Sequence, residues 1–373
     1  MKLGFDAKRA FFNNTGLGNY SRDTIRILGQ YFSDNEYHLY TPKEIKNERL
    51  SFLENKKHYY THSPKAWFDR TFSSLWRTIK LKNNLVKDGI SHFHGLSHEL
   101  PYGIQNTNIK TVVSIHDLIA IRYPQYFKKA DRISYVKKSQ YACQIADKII
   151  AVSQQTKEDI IRFFNIEEDK IEVIYQGCNK VFQEEQSADF KANVSTKHQL
   201  PKKYLLYVGT IEERKNLYNL LRCLKELPDY QLVVIGNGKA YKNKCLDFIN
   251  ENKMNNRIKI LSDLLLKEMA AIYQQADIMI YPSFFEGFGI PILESLFCGV
   301  PVITSQGGCF AEPGGKYSSY INPNDIEQMK SEIVDISTNI SRREKMIEEG
   351  KKHAQNFTDD KIAERLMNLY QNI

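Results

Sequence analysis

The chain has 373 residues, of which 42% are hydrophobic and 26% are charged, and its length predicts two domains of similar size. The composition is close to that of an average globular protein and excludes collagen-like, coiled-coil and disordered chains. The formal net charge of +8 is modest for this length. It permits a phosphate-bearing ligand or an anionic membrane surface and does not indicate nucleic-acid binding.

The sequence has no stretch of about 18 apolar residues and no N-terminal signal peptide, which predicts a cytoplasmic protein. Its six cysteines form no CxxC pair and no zinc-ligand spacing. We therefore expect reduced thiols that pack in the core.

Short apolar runs recur along the chain, and each ends in a polar or glycine-containing turn before a segment with helical spacing. These runs lie at 111–117, 148–153, 204–210, 231–238, 278–283 and 300–305. Continuous runs of Val, Ile and Tyr are typical of parallel strands that are buried on both faces. The alternation of strand and helix predicts an α/β fold with doubly wound, Rossmann-like parallel sheets.

A loop is predicted at 13–22, after the first strand, and it contains Gly16 and Gly18. Glycines at these positions would let the backbone approach a ligand closely. The loop is an incomplete dinucleotide-binding fingerprint, because Ser21 stands at the third glycine position. By itself this partial pattern does not specify a ligand.

Segment 56–88 is basic and aromatic, with eight Lys and Arg residues against two acidic ones. Its large apolar residues have approximately helical spacing and are Trp67, Phe68, Phe72, Leu75, Trp76 and Ile79. Two interpretations remain open. The residues pack into the N-terminal domain, or they form an amphipathic face that lies on an anionic membrane and meets a lipid-linked acceptor.

Three histidines, His92, His94 and His98, resemble a set of metal ligands. They have no nearby cysteine and no HExxH motif, so the pattern does not favour zinc. We expect this segment to line the site of an acceptor substrate.

A polar segment at 183–203 lacks apolar periodicity and ends in a proline just before a strong strand. It predicts a division of the chain into residues 1–182 and 183–355. Two such halves facing a central cleft would bind a ligand at the carboxyl ends of their strands, where open α/β sheets usually bind. The last segment predicts a helix that is capped by Thr358.

Arg214 and Lys215 come just before a predicted helix that begins near Asn216. Cations at a helix N-terminus oppose the helix dipole, so an anionic ligand would explain them better than helix stability does. The alternative is a solvated charge cluster in which Glu212 and Glu213 pair with the two cations.

Residues 281–305 carry the most informative pattern. A strand ends in a loop that contains Glu286, Gly287 and Gly289, and Pro291 then stands where a helix would begin. The N-terminus of such a helix offers backbone N–H groups to a phosphate, while Glu286 and Glu294 beside it would suit sugar hydroxyls. The alternative is a tight glycine turn with Glu294, in the first helical turn, complementing the helix dipole.

Taken together, these motifs resemble those of glycosyltransferase family 4, which comprises retaining enzymes of the GT-B architecture. Residues 286–294 read EGFGIPILE and match the E-x7-E signature of that family. Residues 207–217 match its basic loop, and the segments around 114–118 and 151–160 match its N-terminal motifs. The resemblance implies an N-terminal acceptor-side domain, 1–182, to which a C-terminal helix, 356–373, returns, and a donor-binding domain, 183–355.

The resemblance also implies site residues. Lys215 and Arg214 would bind the diphosphate of a nucleotide-sugar donor, and the backbone at Phe288 and Gly289 would cradle its phosphate and sugar. Glu286 would bind hydroxyls of the sugar. Further roles implied by the resemblance are ribose binding by Glu294, contact with the transferred sugar by His116, and contact with the donor phosphates or the acceptor by Gly16 and Gly18.

One position departs from the family pattern, because Thr210 stands where many relatives have an arginine. Neutralisation of the diphosphate would then depend more on Arg214 and Lys215. The sequence contains no D-x-D motif, so we expect neither a metal nor another cofactor.

The implied reaction is the transfer of a hexose, with GDP-mannose as the first choice of donor and a UDP-sugar as the second, to a glycan or lipid-linked acceptor. The leaving diphosphate would take up the acceptor's proton, so catalysis would consist of positioning and charge stabilisation by His116, Glu286 and Lys215. Two other hypotheses are an NAD-dependent oxidoreductase of doubly wound fold and a non-catalytic carbohydrate-binding relative.

Overall fold

The computed structural model describes residues 1–45, 47–54 and 56–373, and the chain divides into two compact units. The N-terminal unit comprises Met1–Gly177 and Phe357–Ile373, and the C-terminal unit comprises Cys178–Asn356. The predicted boundary after residue 182 lies further along the chain than this division. The reason is that Phe182 packs within the C-terminal unit, where its ring centroid lies 5.5 Å from that of Tyr273.

The N-terminal unit is built on a seven-stranded parallel sheet with the order β3-β2-β1-β4-β5-β6-β7. Its strands are β1 (Lys2–Asp6), β2 (Glu36–Tyr40), β3 (Tyr59–His62), β4 (His92–Gly95), β5 (Lys110–Ile115), β6 (Lys148–Ala151) and β7 (Ile171–Val173). Its helices are α1 (Lys8–Phe12), α2 (Gly16–Tyr31), α3 (Trp67–Thr71), α4 (Ser73–Leu75), α5 (Leu81–Lys87), α6 (Ile119–Arg122), α7 (Lys129–Ile145) and α8 (Gln154–Phe164).

The C-terminal unit contains a six-stranded parallel sheet with the order β10-β9-β8-β11-β12-β13. Its strands are β8 (Leu205–Val208), β9 (Leu232–Ile235), β10 (Ile258–Leu261), β11 (Ile278–Tyr281), β12 (Val302–Ser305) and β13 (Ser319–Ile321). Its helices are α9 (Ala188–His198), α10 (Leu217–Lys225), α11 (Ala240–Glu251), α12 (Leu266–Tyr273), α13 (Ile290–Phe297), α14 (Ala311–Gly314), α15 (Ile326–Thr338) and α16 (Ile340–Ala354).

Both sheets confirm the predicted doubly wound, Rossmann-like α/β class. Each of the six apolar runs contains a strand, and β8, β9, β11 and β12 are buried along their whole length. Burial on both faces is what parallel strands covered by helices require. The polar segment 183–203, in which no helix was predicted, contains α9, which begins after the Ser187 cap.

The final helix, α17 (Asp359–Gln371), belongs to the N-terminal unit. Thr358 stands at its N-cap position as predicted, but its side chain makes no capping hydrogen bond. The helix packs on α2, and Arg26 Nη1 lies 2.8 Å from Asp359 Oδ2. Its residue Tyr370 is buried and places its hydroxyl 2.7 Å from His94 Nδ1 in β4. The helix is therefore an integral part of the N-terminal core.

Within segment 56–88, the stripe of six large apolar residues falls on α3, α4, the residue between them and a π-helical turn at Trp76–Lys80. Trp76 is buried, with 4% of its surface exposed, and donates to Asn84 Oδ1. The other five residues of the predicted stripe are exposed: Trp67 (77%), Phe68, Phe72, Leu75 and Ile79. The core-packing interpretation therefore applies to Trp76 and is wrong for the others. Within the described residues, no helix is both long and apolar enough to cross a membrane.

Candidate functional site

The candidate site of the C-terminal unit lies where its strand order reverses. Strands β8 and β11 are hydrogen-bonded neighbours, although β9 follows β8 in the chain. Open α/β sheets bind ligands outside the carboxyl ends of strands at such a switch point. The loop after β8 carries Arg214 and Lys215, and the loop after β11 carries Glu286, so the topology brings the two predicted motifs together.

Glycines and one asparagine set the path of the basic loop. A Cβ atom at Gly236 would lie 2.0 Å from the Gly209 carbonyl oxygen, so the loops after β8 and β9 can approach only because this side chain is absent. Asn216 adopts the left-handed conformation (φ 57°) at the N-cap of α10. Its Nδ2 donates to the carbonyl oxygens of Pro282 and Pro323, which joins the basic loop to the loop after β11.

Glu286 is the centre of a buried charge cluster. Its Oε1 lies 2.8 Å from Lys215 Nζ and 2.9 Å from Arg214 Nη1, and the residue is 9% exposed. Lys215 Nζ also donates to the hydroxyl of Tyr281 at 2.9 Å. Burial alone would raise the pKa of Glu286, but the two cations outweigh it and lower the pKa to about 2. The carboxyl group is therefore ionised at neutral pH.

Arg214 also has a structural task. Its guanidinium donates to the carbonyl oxygen of Phe285 and to Glu212, and its own carbonyl accepts from Phe284 N at 2.8 Å. Burial opposes the charged form, whereas Glu286 and Glu212 raise the pKa of Arg214 above its ordinary value. The arginine thus ties the loop after β11 to the basic loop, and its predicted contact with a diphosphate stays a prediction. The alternative of a solvated charge cluster is right about the pairing of Arg214 with Glu212 and wrong about solvation, because Arg214 and Lys215 are largely buried.

The helix of the signature motif begins at Ile290, with Gly289 at its N-cap in the left-handed region (φ 104°) and Pro291 in its first turn. Glu294 therefore falls in the second turn, and the first turn contains no acidic residue. Our expectation of Glu294 in the first turn was wrong, and so was the dipole explanation attached to it. Glu294 is instead buried, and its Oε2 accepts a hydrogen bond of 2.8 Å from the hydroxyl of Tyr273.

In the N-terminal unit, Gly16 and Gly18 lie in the first turn of α2 rather than in a loop, which corrects the prediction for 13–22. The connection between α1 and α2 is confined to 13–15, because α2 already begins at Gly16. A Cβ atom on Gly18 would lie 1.7 Å from the carbonyl oxygen of Asn13. Gly18 therefore permits the close turn of the chain itself, whereas Gly16 faces open space.

His116 follows β5 and is buried, with its ring edge-on to Tyr20 at 4.5 Å between centroids. Burial lowers the pKa of His116 to about 4, despite a hydrogen bond to the Leu96 carbonyl oxygen that raises it. The imidazole is therefore neutral at pH 7. Because Nε2 lies 2.9 Å from that carbonyl oxygen, which can only accept, Nε2 carries the proton and Nδ1 is an acceptor.

The three histidines that resemble a set of metal ligands make separate contacts. His94 contacts Tyr370 and Ser114, whereas His92 contacts Ser91. His98 lies 3.1 Å from the Tyr135 hydroxyl and has a left-handed backbone conformation (φ 61°). Among the residues that the structure describes, no group of three or more His, Cys, Asp or Glu side chains could hold a metal ion.

Several residues that contact the charged groups of this site stand in no predicted motif or only in an apolar run. Tyr281 lies in the apolar run 278–283 and Tyr273 stands in no predicted motif, yet the hydroxyl of Tyr273 contacts Glu294 and that of Tyr281 contacts Lys215. The loop between β11 and α13, residues 282–289, is called the signature loop below. Cys309 contacts its backbone at the carbonyl oxygens of Glu286 and Phe288. No local pattern marks these residues, because each contact depends on the pairing of distant segments.

The fold and these residues define a protein of two α/β units with a buried charge cluster at the switch point of the second sheet. Residues 15–180 match the model of the family described as Glycosyltransferase Family 4, and residues 190–353 match that of Glycosyl transferases group 1. The two matches together cover most of the chain. The chain belongs to the glycosyltransferases of family 4, which confirms the resemblance and favours a glycosyltransferase over an NAD-dependent oxidoreductase.

Individual relatives agree with this assignment. The chain is 29% identical to O-antigen chain mannosyltransferase B of Escherichia coli, with complete coverage of both chains. It is 26% identical to O-antigen chain mannosyltransferase RfbU of Salmonella typhimurium over 73% of this chain and 71% of that protein. The crystal structure of Anabaena Alr3699/HepE in complex with UDP and glucose matches its fold with a TM-score of 0.78, at 14% identity and complete coverage of both chains.

Proposed function

We propose that the chain is a retaining glycosyltransferase that moves a hexose from a nucleotide-sugar to a glycan or lipid-linked acceptor in surface polysaccharide biosynthesis. The observation that carries this proposal is the buried cluster at the switch point, in which Lys215 and Arg214 contact Glu286 and Lys215 also donates to Tyr281. It combines cations for a diphosphate with a carboxylate for sugar hydroxyls.

Each part of the cluster has a task in the proposed reaction. Lys215 stabilises the negative charge that develops on the leaving diphosphate, helped by backbone N–H groups at the N-terminus of α13. Both cations contact the same oxygen of Glu286, and a carboxylate has about four acceptor sites, so Glu286 retains acceptors for hydroxyls of the sugar. Glu294, held by Tyr273, accepts from the ribose hydroxyls.

In the reaction itself, the acceptor oxygen forms a bond to the anomeric carbon on the face from which the diphosphate leaves. The bond from the anomeric carbon to the diphosphate breaks, its electron pair goes to the diphosphate oxygen, and that oxygen takes the acceptor's proton. His116, with a proton on Nε2 and a lone pair on Nδ1, orients the transferred sugar by accepting from one of its hydroxyls. We propose no metal or other cofactor for this step.

Two donors remain in the proposal. The relatives that are named O-antigen mannosyltransferases support GDP-mannose, whereas the fold match to a protein solved with UDP and glucose supports a UDP-sugar. We rank GDP-mannose first, because the two mannosyltransferases are 29% and 26% identical to this chain, whereas the protein solved with UDP and glucose is 14% identical.

We also propose that the protein acts at the cytoplasmic face of a membrane, where the exposed residues of 67–80 contact anionic lipids. Phe68, Phe72, Leu75 and Ile79 recur at intervals of three or four residues and are all exposed, so this apolar face is directed to solvent. Exposed cations accompany it at Lys65, Arg70 and Lys80. Apolar side chains flanked by cations suit the interface of an anionic bilayer.

The membrane proposal is tested by co-sedimentation with phosphatidylglycerol vesicles. We expect Trp67→Ser with Phe72→Ser to reduce the bound fraction severalfold, since both remove exposed apolar surface. Phe12→Ser, at another exposed phenylalanine of the same unit, is the matched control and should sediment like the parent. Equal sedimentation of all three proteins would contradict the membrane proposal.

The catalytic proposal is tested first by thermal unfolding with GDP, UDP, ADP and NAD. A ligand at 100 times its dissociation constant adds about 2.7 kcal/mol of stability, which such a measurement resolves easily. We expect one nucleoside diphosphate to stabilise the parent and Glu294→Ala to abolish the shift. Glu327→Ala, at an exposed glutamate of the same unit, should leave it intact. Stabilisation by NAD alone, or by none of the four, would contradict the proposal.

A further inference from the structure

Cys309 lies next to the signature loop, four residues after β12 ends at Ser305. It is fully buried, and the glycines just before it, Gly307 and Gly308, both have positive φ angles. Its Sγ lies 3.2 Å from the carbonyl oxygen of Glu286 and 3.2 Å from that of Phe288. One thiol thus contacts two backbone groups of the loop that is proposed to cradle the donor.

These contacts complete a series. Along 281–288, side-chain donors from neighbouring segments hold six backbone carbonyl groups. The pairs are Tyr281 with Thr304, Pro282 with Asn216, Ser283 with Ser305, Phe285 with Arg214, and both Glu286 and Phe288 with Cys309. Cys309 serves the two carbonyls nearest the N-terminus of α13.

The orientation of the N–H groups follows from the geometry of the peptide bond. A trans peptide group is planar, and its N–H points away from its C=O. The carbonyl of Glu286 shares a peptide group with the N–H of Gly287, and the carbonyl of Phe288 shares one with the N–H of Gly289. Because both carbonyls point at the Cys309 thiol, both N–H groups point away from it.

We propose that Cys309 is a positioning residue for the donor: its thiol holds the loop so that the N–H groups of Gly287 and Gly289 face the diphosphate and sugar. This inference rests on the proposed function, which needs these N–H groups as donors. A thiol suits the task because its long C–S bond and large sulfur atom reach two carbonyls at once. The two contacts share a single S–H hydrogen and are therefore weak individually.

The test compares three substitutions with the parent protein. Cys309→Ser retains an O–H donor, Cys309→Val approximates the volume without a donor, and Cys309→Ala removes both. We expect the dissociation constant of the stabilising nucleoside diphosphate and the KM for its sugar donor to rise about tenfold in the Val and Ala variants, since a tenfold change corresponds to one typical hydrogen bond. The KM for the acceptor should not change, and Cys309→Ser should recover most of the loss.

Cys245→Ala is the matched control, because Cys245 is also fully buried in the C-terminal unit but lies in its hydrophobic core. It should lower the unfolding temperature without changing the KM for the donor. If Cys309→Ala does not fold, Cys309→Val provides the same comparison. Donor binding within twofold of the parent in the Val variant, or equal impairment of the Ser and Val variants, would overturn the role of Cys309. Absence of nucleoside diphosphate binding by the parent would instead contradict the proposed function.

Discussion

Lys215 Nζ lies 2.8 Å from Glu286 Oε1, although 71 residues separate the two in the chain. The strands that precede them, β8 and β11, are neighbours only because the strand order of the sheet reverses between them. The attraction between a buried cation and a buried carboxylate offsets part of the free energy that burial costs each of them, and removing one partner leaves the other charge uncompensated. Removing either group therefore changes the state of the other.

We expect Glu286→Gln to separate binding from transfer. The amide has nearly the same shape but no charge, so it leaves Lys215 and Arg214 with more positive charge to offer a diphosphate. A nucleoside diphosphate should bind at least as tightly as it does to the parent, while transfer falls by about 100-fold or more because the acceptor for the sugar hydroxyl is altered. Isothermal titration and initial rates measure the two quantities.

Lys215→Met is the partner variant for this comparison. It removes the cation and leaves Glu286 with Arg214, so both nucleoside diphosphate binding and transfer should fall. Weaker nucleotide binding in Glu286→Gln than in Lys215→Met would contradict the assignment of the cation to the diphosphate.

The contact between Tyr273 and Glu294 predicts a dependence on the ribose hydroxyls. Loss of the tyrosine hydroxyl in Tyr273→Phe removes one hydrogen bond to Glu294 and should weaken nucleoside diphosphate binding a few-fold, because the carboxylate is less well oriented. The parent protein should bind the 2′,3′-dideoxy nucleotide more weakly than the ribonucleotide. Glu294→Ala should bind the two nucleotides equally. A persistent preference of Glu294→Ala for the ribonucleotide would place the ribose elsewhere.

Much of the fold could be predicted from the sequence, because parallel strands buried on both faces are continuous apolar runs. Helix α9 was missed since it buries Val194 alone, so periodicity gives no signal, and only the Ser187 cap marks its start. The first turn of α2 was missed for a different reason. Its glycines suggested a loop, whereas Gly18 in fact avoids a clash with the carbonyl of Asn13.

The charged residues of the site could also be predicted, because Glu286, Glu294 and Lys215 stand in local motifs. The residues that hold them could not. Tyr281 and Tyr273 belong to a strand and a helix whose aromatic residues suggest only core packing, and Cys309 suggests an ordinary buried thiol. Their hydroxyl and thiol groups gain partners only when β11, α12 and the segment after β12 come together.

The buried histidines of the N-terminal unit predict acid sensitivity. Burial lowers the pKa of His94 to about 3 and that of His116 to about 4, and it holds the pKa of His98 well below the ordinary value of 6.5. Between its pKa in the folded chain and its ordinary value, each of these histidines binds more protons in the unfolded chain. The histidines therefore cost no stability above pH 6.5, and the free energy of unfolding falls as the pH drops from there towards 4. Asp23 acts in the opposite direction, because burial raises its pKa to about 6.

Urea unfolding at pH 7.5, 6.5 and 5.5 measures this effect. Both tryptophans of the chain, Trp67 and Trp76, lie in the N-terminal unit, so tryptophan fluorescence reports on that unit. The free energy of unfolding should fall below pH 6.5, by at most about 1.4 kcal/mol per pH unit for each imidazole. His94→Asn should flatten the dependence, and an unchanged slope in that variant would show that His94 does not contribute.

The last helix provides a quantitative prediction of stability. Leu366 on α17 is almost fully buried, so Leu366→Ala should cost the N-terminal unit about 2–5 kcal/mol through lost burial and the cavity left behind. Tyr370→Phe keeps the ring but leaves His94 Nδ1 without its hydroxyl partner in a buried site, which should cost about 1–3 kcal/mol. Glu364→Ala, at an exposed position of the same helix, is the control and should change little.

The same fluorescence-detected urea titration at pH 7.5 tests all three variants. The effects of Tyr370→Phe and His94→Asn should not add, because each removes one end of the same hydrogen bond. The double variant should therefore be more stable than the sum of the single losses predicts. Additive losses would mean that the contact between Tyr370 and His94 contributes nothing, and that α17 is held to the sheet by its apolar face alone.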